Sequence, residues 1–386
     1  MKSRKLLMIP GPIEFESEVL QRMSASTPSH VDPEFISVFA NSLELLKEVC
    51  QCPSGQAFII AGTGTLAMDM AAANLIENGD KVLVISTGFF GLRYAEILKR
   101  YGAEVDTLEA ETGNIVPLKD IEQELKSKKY KLLAFTHVDT STAVLNDAKE
   151  IGALCKKYNV LSILDGVCSV AGEEIKQEEW GIDVVVTASQ KAIGVPPGLA
   201  IIVASQKAIK TFEERNTPVA NYYCDWTNWL PIMKAYQNEQ ASYFGTPPVN
   251  LIMALEVSLK LIVKEGLENR FERHRRVGKA MRAALKALGL GTIPKNDQIA
   301  ANTLSAPLYS DYIDAATFLQ AVNNEGIILA GGLLTDVKNK YFRIGHMGSV
   351  NKADLLATIG AIESVLNNHG SKNNLGLGTA EILKNF

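Results

Sequence analysis

Val160-Leu161-Ser162-Ile163-Leu164-Asp165 and Asp183-Val184-Val185-Val186-Thr187-Ala188-Ser189-Gln190-Lys191 decide how this chain is read. Each contains a near-continuous apolar run, the pattern of a strand covered on both faces rather than on one. The first ends in an aspartate, and the second passes into a lysine 26 positions further on. Either residue alone reads as ordinary, a helix-capping aspartate or a surface lysine after a strand. A carboxylate and an amine at the tips of neighbouring strands are a pair that calls for chemistry.

The same pattern extends in both directions. Ala57–Ala61, Lys81–Ser86, Glu104–Leu108, Lys131–Thr136 and Leu199–Ala204 read as further strands. Helical stretches at Thr65–Glu77, Leu92–Tyr101, Leu118–Ser127 and Asp147–Lys157 separate them. Strands alternating with helices predict an α/β fold whose mostly parallel central sheet lies between helices. Helices at Asn250–Lys264 and Leu267–Leu288, then β-rich stretches at 301–307 and 341–345, predict a smaller C-terminal α+β domain. The division is an N-terminal arm at 1–14, a large domain at 15–265 and a small domain at 266–386. The Gly- and Asn-rich segment from Gly370 reads as a loose surface tail.

Composition narrows the classes of function. With 39 basic and 43 acidic residues the net charge is −4, which leaves no electrostatic footprint for nucleic acid. Arg273, Arg275, Arg276 and Lys279 alternate with Glu272 and apolar positions, as on a solvated helix face. No apolar run reaches the roughly 20 residues a membrane span needs. The five cysteines form no even framework, so a reducing compartment is expected. The five histidines have no metal-ligand spacing, so no metal is expected. The basic N-terminus meets Pro10-Gly11-Pro12 too soon for a signal peptide. Lys384-Asn385-Phe386 is not a peroxisomal address. A cytoplasmic location follows, with a mitochondrial one left open.

Several polar motifs stand at strand ends, where open α/β sheets bind ligands. Gly62-Thr63-Gly64-Thr65 reads either as a strand-to-helix turn with a threonine cap or as an anion site at a helix N-terminus. A dinucleotide fingerprint is the weaker reading, because the next strand ends Ile85-Ser86-Thr87-Gly88 with no acidic residue. Gly88-Phe89-Phe90-Gly91 reads as a tight loop presenting an aromatic ring to a flat ligand. Thr136-His137-Val138-Asp139-Thr140-Ser141-Thr142 adds four hydroxyls, three of them past the strand, and two ionisable groups. With Asp165 and Lys191, these turns converge on one crevice. Lysine and aspartate are the groups that pyridoxal 5'-phosphate (PLP) chemistry requires, one to hold the cofactor covalently and one to keep its ring nitrogen protonated.

In this order and spacing the motifs resemble the fold-type I, class V PLP-dependent aminotransferases, and among them the alanine–glyoxylate (serine–pyruvate) group. The resemblance runs from about Leu6 to Ser364 and includes Pro196-Pro197-Gly198, Tyr243-x-x-Thr246 and Arg343-Ile344-Gly345. It implies that Lys191 carries PLP, that Asp165 pairs with the ring nitrogen, and that Val167 and Phe90 cover the ring faces. Thr63, Gly64, Thr65 and Gln190 would hold the phosphate, and Thr140 would border both cofactor and substrate. Tyr243 and Thr246 would reach the neighbouring subunit's cofactor, which makes the enzyme a homodimer. Arg343 would clamp the substrate carboxylate, and Gly11 would border a small substrate pocket. The implied reaction moves the amino group of L-alanine to glyoxylate by a ping-pong route.

The chain departs from the family pattern in several places. Phe90 stands where tryptophan is usual, Gly166 and Cys168 where serine and alanine are common, Thr140 for serine, and Ala143 for glycine. Alternatives within the fold are a serine–pyruvate or serine–glyoxylate aminotransferase, a phosphonate or phosphoserine aminotransferase, and a desulfurase-like lyase. The lyase would want a stacked histidine and a late, mobile cysteine, yet no cysteine follows Cys224. A PLP-binding scaffold with a dead site would need none of Lys191, Asp165 and Arg343.

Overall fold

The computed structural model describes residues 5–370 and 375–386. The first four residues of the predicted arm and residues 371–374 of the predicted tail lie outside this range. Seven strands form the central sheet: β1 (Gln56–Ala61), β2 (Lys81–Ser86), β3 (Glu104–Glu109), β4 (Leu132–Thr136), β5 (Leu161–Asp165), β6 (Val184–Ala188) and β7 (Leu199–Ala204). Their spatial order is β1-β7-β6-β5-β4-β2-β3. Only β7 runs antiparallel to its neighbours, β1 and β6. Two reversals restore the direction of β1, so the carboxyl ends of β1, β2, β4, β5 and β6 share one edge. β4, β5 and β6 are buried along their whole length. β3, with charged residues along it, takes the sheet edge, where unpaired backbone groups meet water.

Helix α1 (Gly64–Leu75) starts immediately after β1, with the Thr63 hydroxyl accepting from the Leu66 N–H. Helix α2 (Phe89–Arg100) follows β2, and its start corrects one expectation. Phe89 and Phe90 are not in a loop but in the first helical turn. The cause is tertiary: the buried Asp139 carboxylate, from the loop after β4, accepts from the N–H groups of Phe90 and Gly91 at 3.0 and 3.3 Å. Those donors otherwise lack partners at a helix start.

A second hydrophobic core gathers Val277, Met281, Phe318, Phe342, Leu355 and Ile362. It packs around helix α3 (Leu267–Ala287), helix Lys352–Asn368 and an antiparallel sheet of Leu304–Ser305, Phe342–Gly345 and Ala330–Gly331. We propose the small domain begins at Gly266. The arm is stitched to it: Leu6–Leu7 pairs in parallel with Ile327–Ile328, and Met8 is buried in the second core.

Two further expectations are corrected here. Beyond residue 374 the tail is not loose, because Leu377–Asn385 forms a helix with Ile382 fully buried. Glu363 accepts from the N–H groups of Gly376, Gly378 and Thr379, supplying the anion that a helix start favours. The basic face of α3 is also not simply solvated. Arg273 pairs with Glu265 and donates to the Gly348 carbonyl, and Arg276 lies over the Phe386 ring.

Candidate active site

Asp165 closes β5 beside Thr136 of β4 and Val186 of β6, so its position at the ligand-binding edge follows from strand register. It is 3% exposed, and its carboxylate accepts from the Val167 N–H at 3.0 Å. Burial raises its pKa to about 7. Lys191, in the turn after β6, is 8% exposed, and burial lowers its pKa. Its Nζ donates to the Pro10 carbonyl. Gly11 (φ +108°) lets the arm pass directly over the lysine; a Cβ there would come within 2.6 Å of Lys191 Cδ.

These residues border a cleft of about 180 Å³. Thr63, Gly64, Thr65 and Gln190 line it where α1 begins. Phe90, Val167 and Asp165 line it beneath the strand ends, and Gly11, Thr140 and Lys191 complete it. Ten of the predicted site residues therefore share one cavity. A Cβ at Gly64 would sit 2.7 Å from Val167 Cγ2, so glycine keeps this wall open.

Three predicted residues lie elsewhere on the chain. Arg343 is held beside the cleft, its Nε donating to the Gly331 carbonyl at 2.9 Å and its Nη1 to the Thr140 carbonyl at 3.2 Å. Tyr243 is 62% exposed, with its ring 5.6 Å from that of His30, and Thr246 is exposed as well. The polar cluster 136–142 divides its work. Thr140 lines the cleft, whereas Asp139 caps α2 and His137 is buried outside it, held neutral by burial with its pKa lowered to about 3.

Sequence reasoning missed Arg93 and Met68, which also line the cleft. Arg93 stands three residues beyond Phe90, a spacing that places both on one helix face and was a usable signal. It also missed a tether. Buried Arg270 of α3 donates to the carbonyls of Ala171 and Ala192, both at 2.7 Å, and pairs with Glu265 at 2.8 Å. His274, one turn on, accepts from the Gly348 N–H at 3.0 Å. One helix thus clamps the loops that follow Asp165, Lys191 and Arg343.

The cleft suits PLP on its own chemistry. Asp165 is a buried carboxylate with no cation within ion-pair distance among the described residues, so a protonated ring nitrogen would complete it. Lys191 opens on the same cavity, and an aromatic ring and a valine border it for a flat ring. Fold and site together define a fold-type I transferase of the α/β class.

Known proteins agree with that class. The family profile described as Aminotransferase class-V matches residues 15–347. The chain is 38% identical over 362 residues to alanine–glyoxylate aminotransferase 1 of Saccharomyces cerevisiae, covering 90% of this chain and 93% of that protein. The structure of alanine–glyoxylate aminotransferase from Nostoc superposes with a TM-score of 0.89 at 33% identity, over 95% of this chain and 96% of that one. Ureidoglycine–glyoxylate aminotransferase from Bacillus subtilis superposes at 0.93 with 31% identity, over 100% and 98%. The chain belongs to the class-V aminotransferase family, whose members are PLP-dependent, and it is an aminotransferase. Among the described residues no helix is long and apolar enough to cross a membrane.

Proposed function

We propose that this aminotransferase binds PLP at Lys191 and transfers the amino group of L-alanine to glyoxylate, giving pyruvate and glycine. The observation that carries the reading is the convergence of a buried amine and a buried carboxylate, Lys191 and Asp165, on one cleft over which Pro10 and Gly11 close. The yeast and Nostoc relatives, named for this reaction, support it.

When bound, PLP supplies an electron sink that makes the donor's Cα–H acidic. Everything else falls to the protein. The Lys191 amine, its pKa lowered by burial, would take the Cα proton as a neutral base and pass it to the cofactor's C4′, and would carry a proton the opposite way in the second half-reaction. Asp165 keeps the ring nitrogen protonated, and that pairing in turn stabilises its buried charge. Val167 and Phe90 confine the ring, while Thr63, Gly64, Thr65 and Gln190 receive the phosphate. Arg343 presents a planar fork to the α-carboxylate. Tyr243 and Thr246, exposed here, reach the cofactor of a second copy, so the working enzyme is a homodimer. A serine donor is the second reading, since the Thr140 hydroxyl borders the cleft and would meet a seryl hydroxyl. The five cysteines are all free and buried, which fits the reducing cytoplasm, where the reaction would serve glycine synthesis.

Absorption spectroscopy of the purified protein tests this reading. A visible band should shift to the shorter-wavelength pyridoxamine form with alanine and return with glyoxylate. A PLP-loaded protein whose band ignores both alanine and serine would sink it. Arg343→Ala should raise KM for both substrates by about 10- to 100-fold, with the smaller effect on kcat. Arg343→Lys should recover only part, because an ammonium lacks the bidentate fork. Unchanged KM in Arg343→Ala would remove Arg343 from the carboxylate role.

A further inference from the structure

Two cations line the cleft among the described residues, Lys191 and Arg93. Lys191 is committed to covalent chemistry. Arg93 has no such assignment, and its surroundings are electrostatically incomplete. Its guanidinium packs over the rings of Phe89 and Phe90, at 4.8 and 5.0 Å from their centroids. Its Nη1 donates to the Thr65 hydroxyl at 3.4 Å, in the first turn of α1. The cation therefore stands between the amino ends of α2 and α1, where the helix dipoles favour an anion instead.

No carboxylate relieves that arrangement. Among the described residues Arg93 makes no ion pair at 4.0 Å or less. The Asp139 carboxylate is taken up by the N–H groups of Phe90, Gly91 and Ser141 and by the Ser141 hydroxyl. Asp165 feels the positive charge of Arg93 without reaching ion-pair distance. The start of α1, a threonine hydroxyl and an unpaired guanidinium facing one cleft form a receptor that lacks only its anion. A phosphate monoester matches it in charge, and its oxygens can accept from the fork and from the helix end together.

We propose that Arg93 is the counter-cation for the phosphate of PLP. The assignment rests on the reading that PLP occupies this cleft. It distributes the work differently from the sequence-based expectation, which gave the phosphate only neutral partners. The Phe89 and Phe90 rings hold the guanidinium over the cleft, so Phe90, which would cover the cofactor ring, also helps position the charge.

The test compares PLP with pyridoxal, which lacks the phosphate. Apo forms of the wild type, Arg93→Gln and Arg93→Lys are titrated with each, and binding is read from the visible absorbance of the lysine-bound ligand and from tryptophan fluorescence. Arg93→Gln should weaken PLP by about 10- to 100-fold, the loss expected for a charge-assisted contact, with pyridoxal unchanged. Arg93→Lys should lie between. PLP affinity equal to wild type in Arg93→Gln would overturn the proposal. So would equal losses for PLP and pyridoxal, which would mark Arg93 as a support for the aromatic rings. Should Arg93→Gln not fold, the ratio of PLP to pyridoxal affinity in Arg93→Lys decides in the same way. A wild type that develops no band with PLP would instead remove the PLP reading, and this proposal with it.

Discussion

Lys191→Ala should lower kcat by about 10⁴-fold or more, because one side chain serves both as the covalent anchor and as the proton carrier. The fold should survive. Lys191 is buried and its charged form is penalised by that burial, so removing the amine relieves a cost while truncation leaves a small cavity. These effects oppose each other, and the melting temperature of the apo variant should stay close to that of apo wild type. Steady-state transamination and thermal melting of the same preparation check both halves. A variant within tenfold of wild-type kcat would remove Lys191 from the reaction.

The second large effect is expected at Asp165. Asp165→Asn preserves shape but removes the charge that keeps a ring nitrogen protonated, and kcat should fall by about 10²- to 10⁴-fold. Its pH signature separates it from a packing defect. In the apo protein, burial raises the Asp165 pKa to about 7, whereas an unfolded aspartate titrates near about 4. Between those values the folded state holds the proton and the unfolded state has lost it. Apo stability must therefore fall as pH rises from about 4 to about 7, then level off. Apo Asp165→Asn lacks this loss, so its melting temperature should gain on apo wild type across that window and exceed it at pH 8. PLP loading should reverse the order, because the buried carboxylate then has its cation. A difference between the two apo proteins that does not change with pH would refute the assigned burial of that charge.

Several elements were legible because their causes are local. β4, β5 and β6 are buried on both faces, and a strand so placed must be apolar along its whole length. β2 and β7 fall on the predicted boundaries for the same reason. The start of α2 was not legible. Its first N–H groups are satisfied by Asp139, nearly fifty residues away, and glycines around Phe89 and Phe90 read locally as a loop. The closing helix Leu377–Asn385 was hidden likewise, since its start is held by Glu363 and not by a residue of its own.

The site divides along the same line. Lys191, Asp165 and the Gly62–Thr65 turn could be placed from the chain alone, because strand ends in a parallel sheet converge whatever the details of packing. Arg343, Arg270 and Arg93 could not be ranked that way. An arginine in a sequence shows its charge but not its partners. Arg343 is tied to the Thr140 carbonyl and Arg270 to those of Ala171 and Ala192, whereas Arg93, beside the start of α1, has no carboxylate at ion-pair distance among the described residues. Local pattern sets which residues sit at strand tips. Which charges are paired, buried or left waiting for a ligand depends on groups far apart in sequence, and only their packing brings them together.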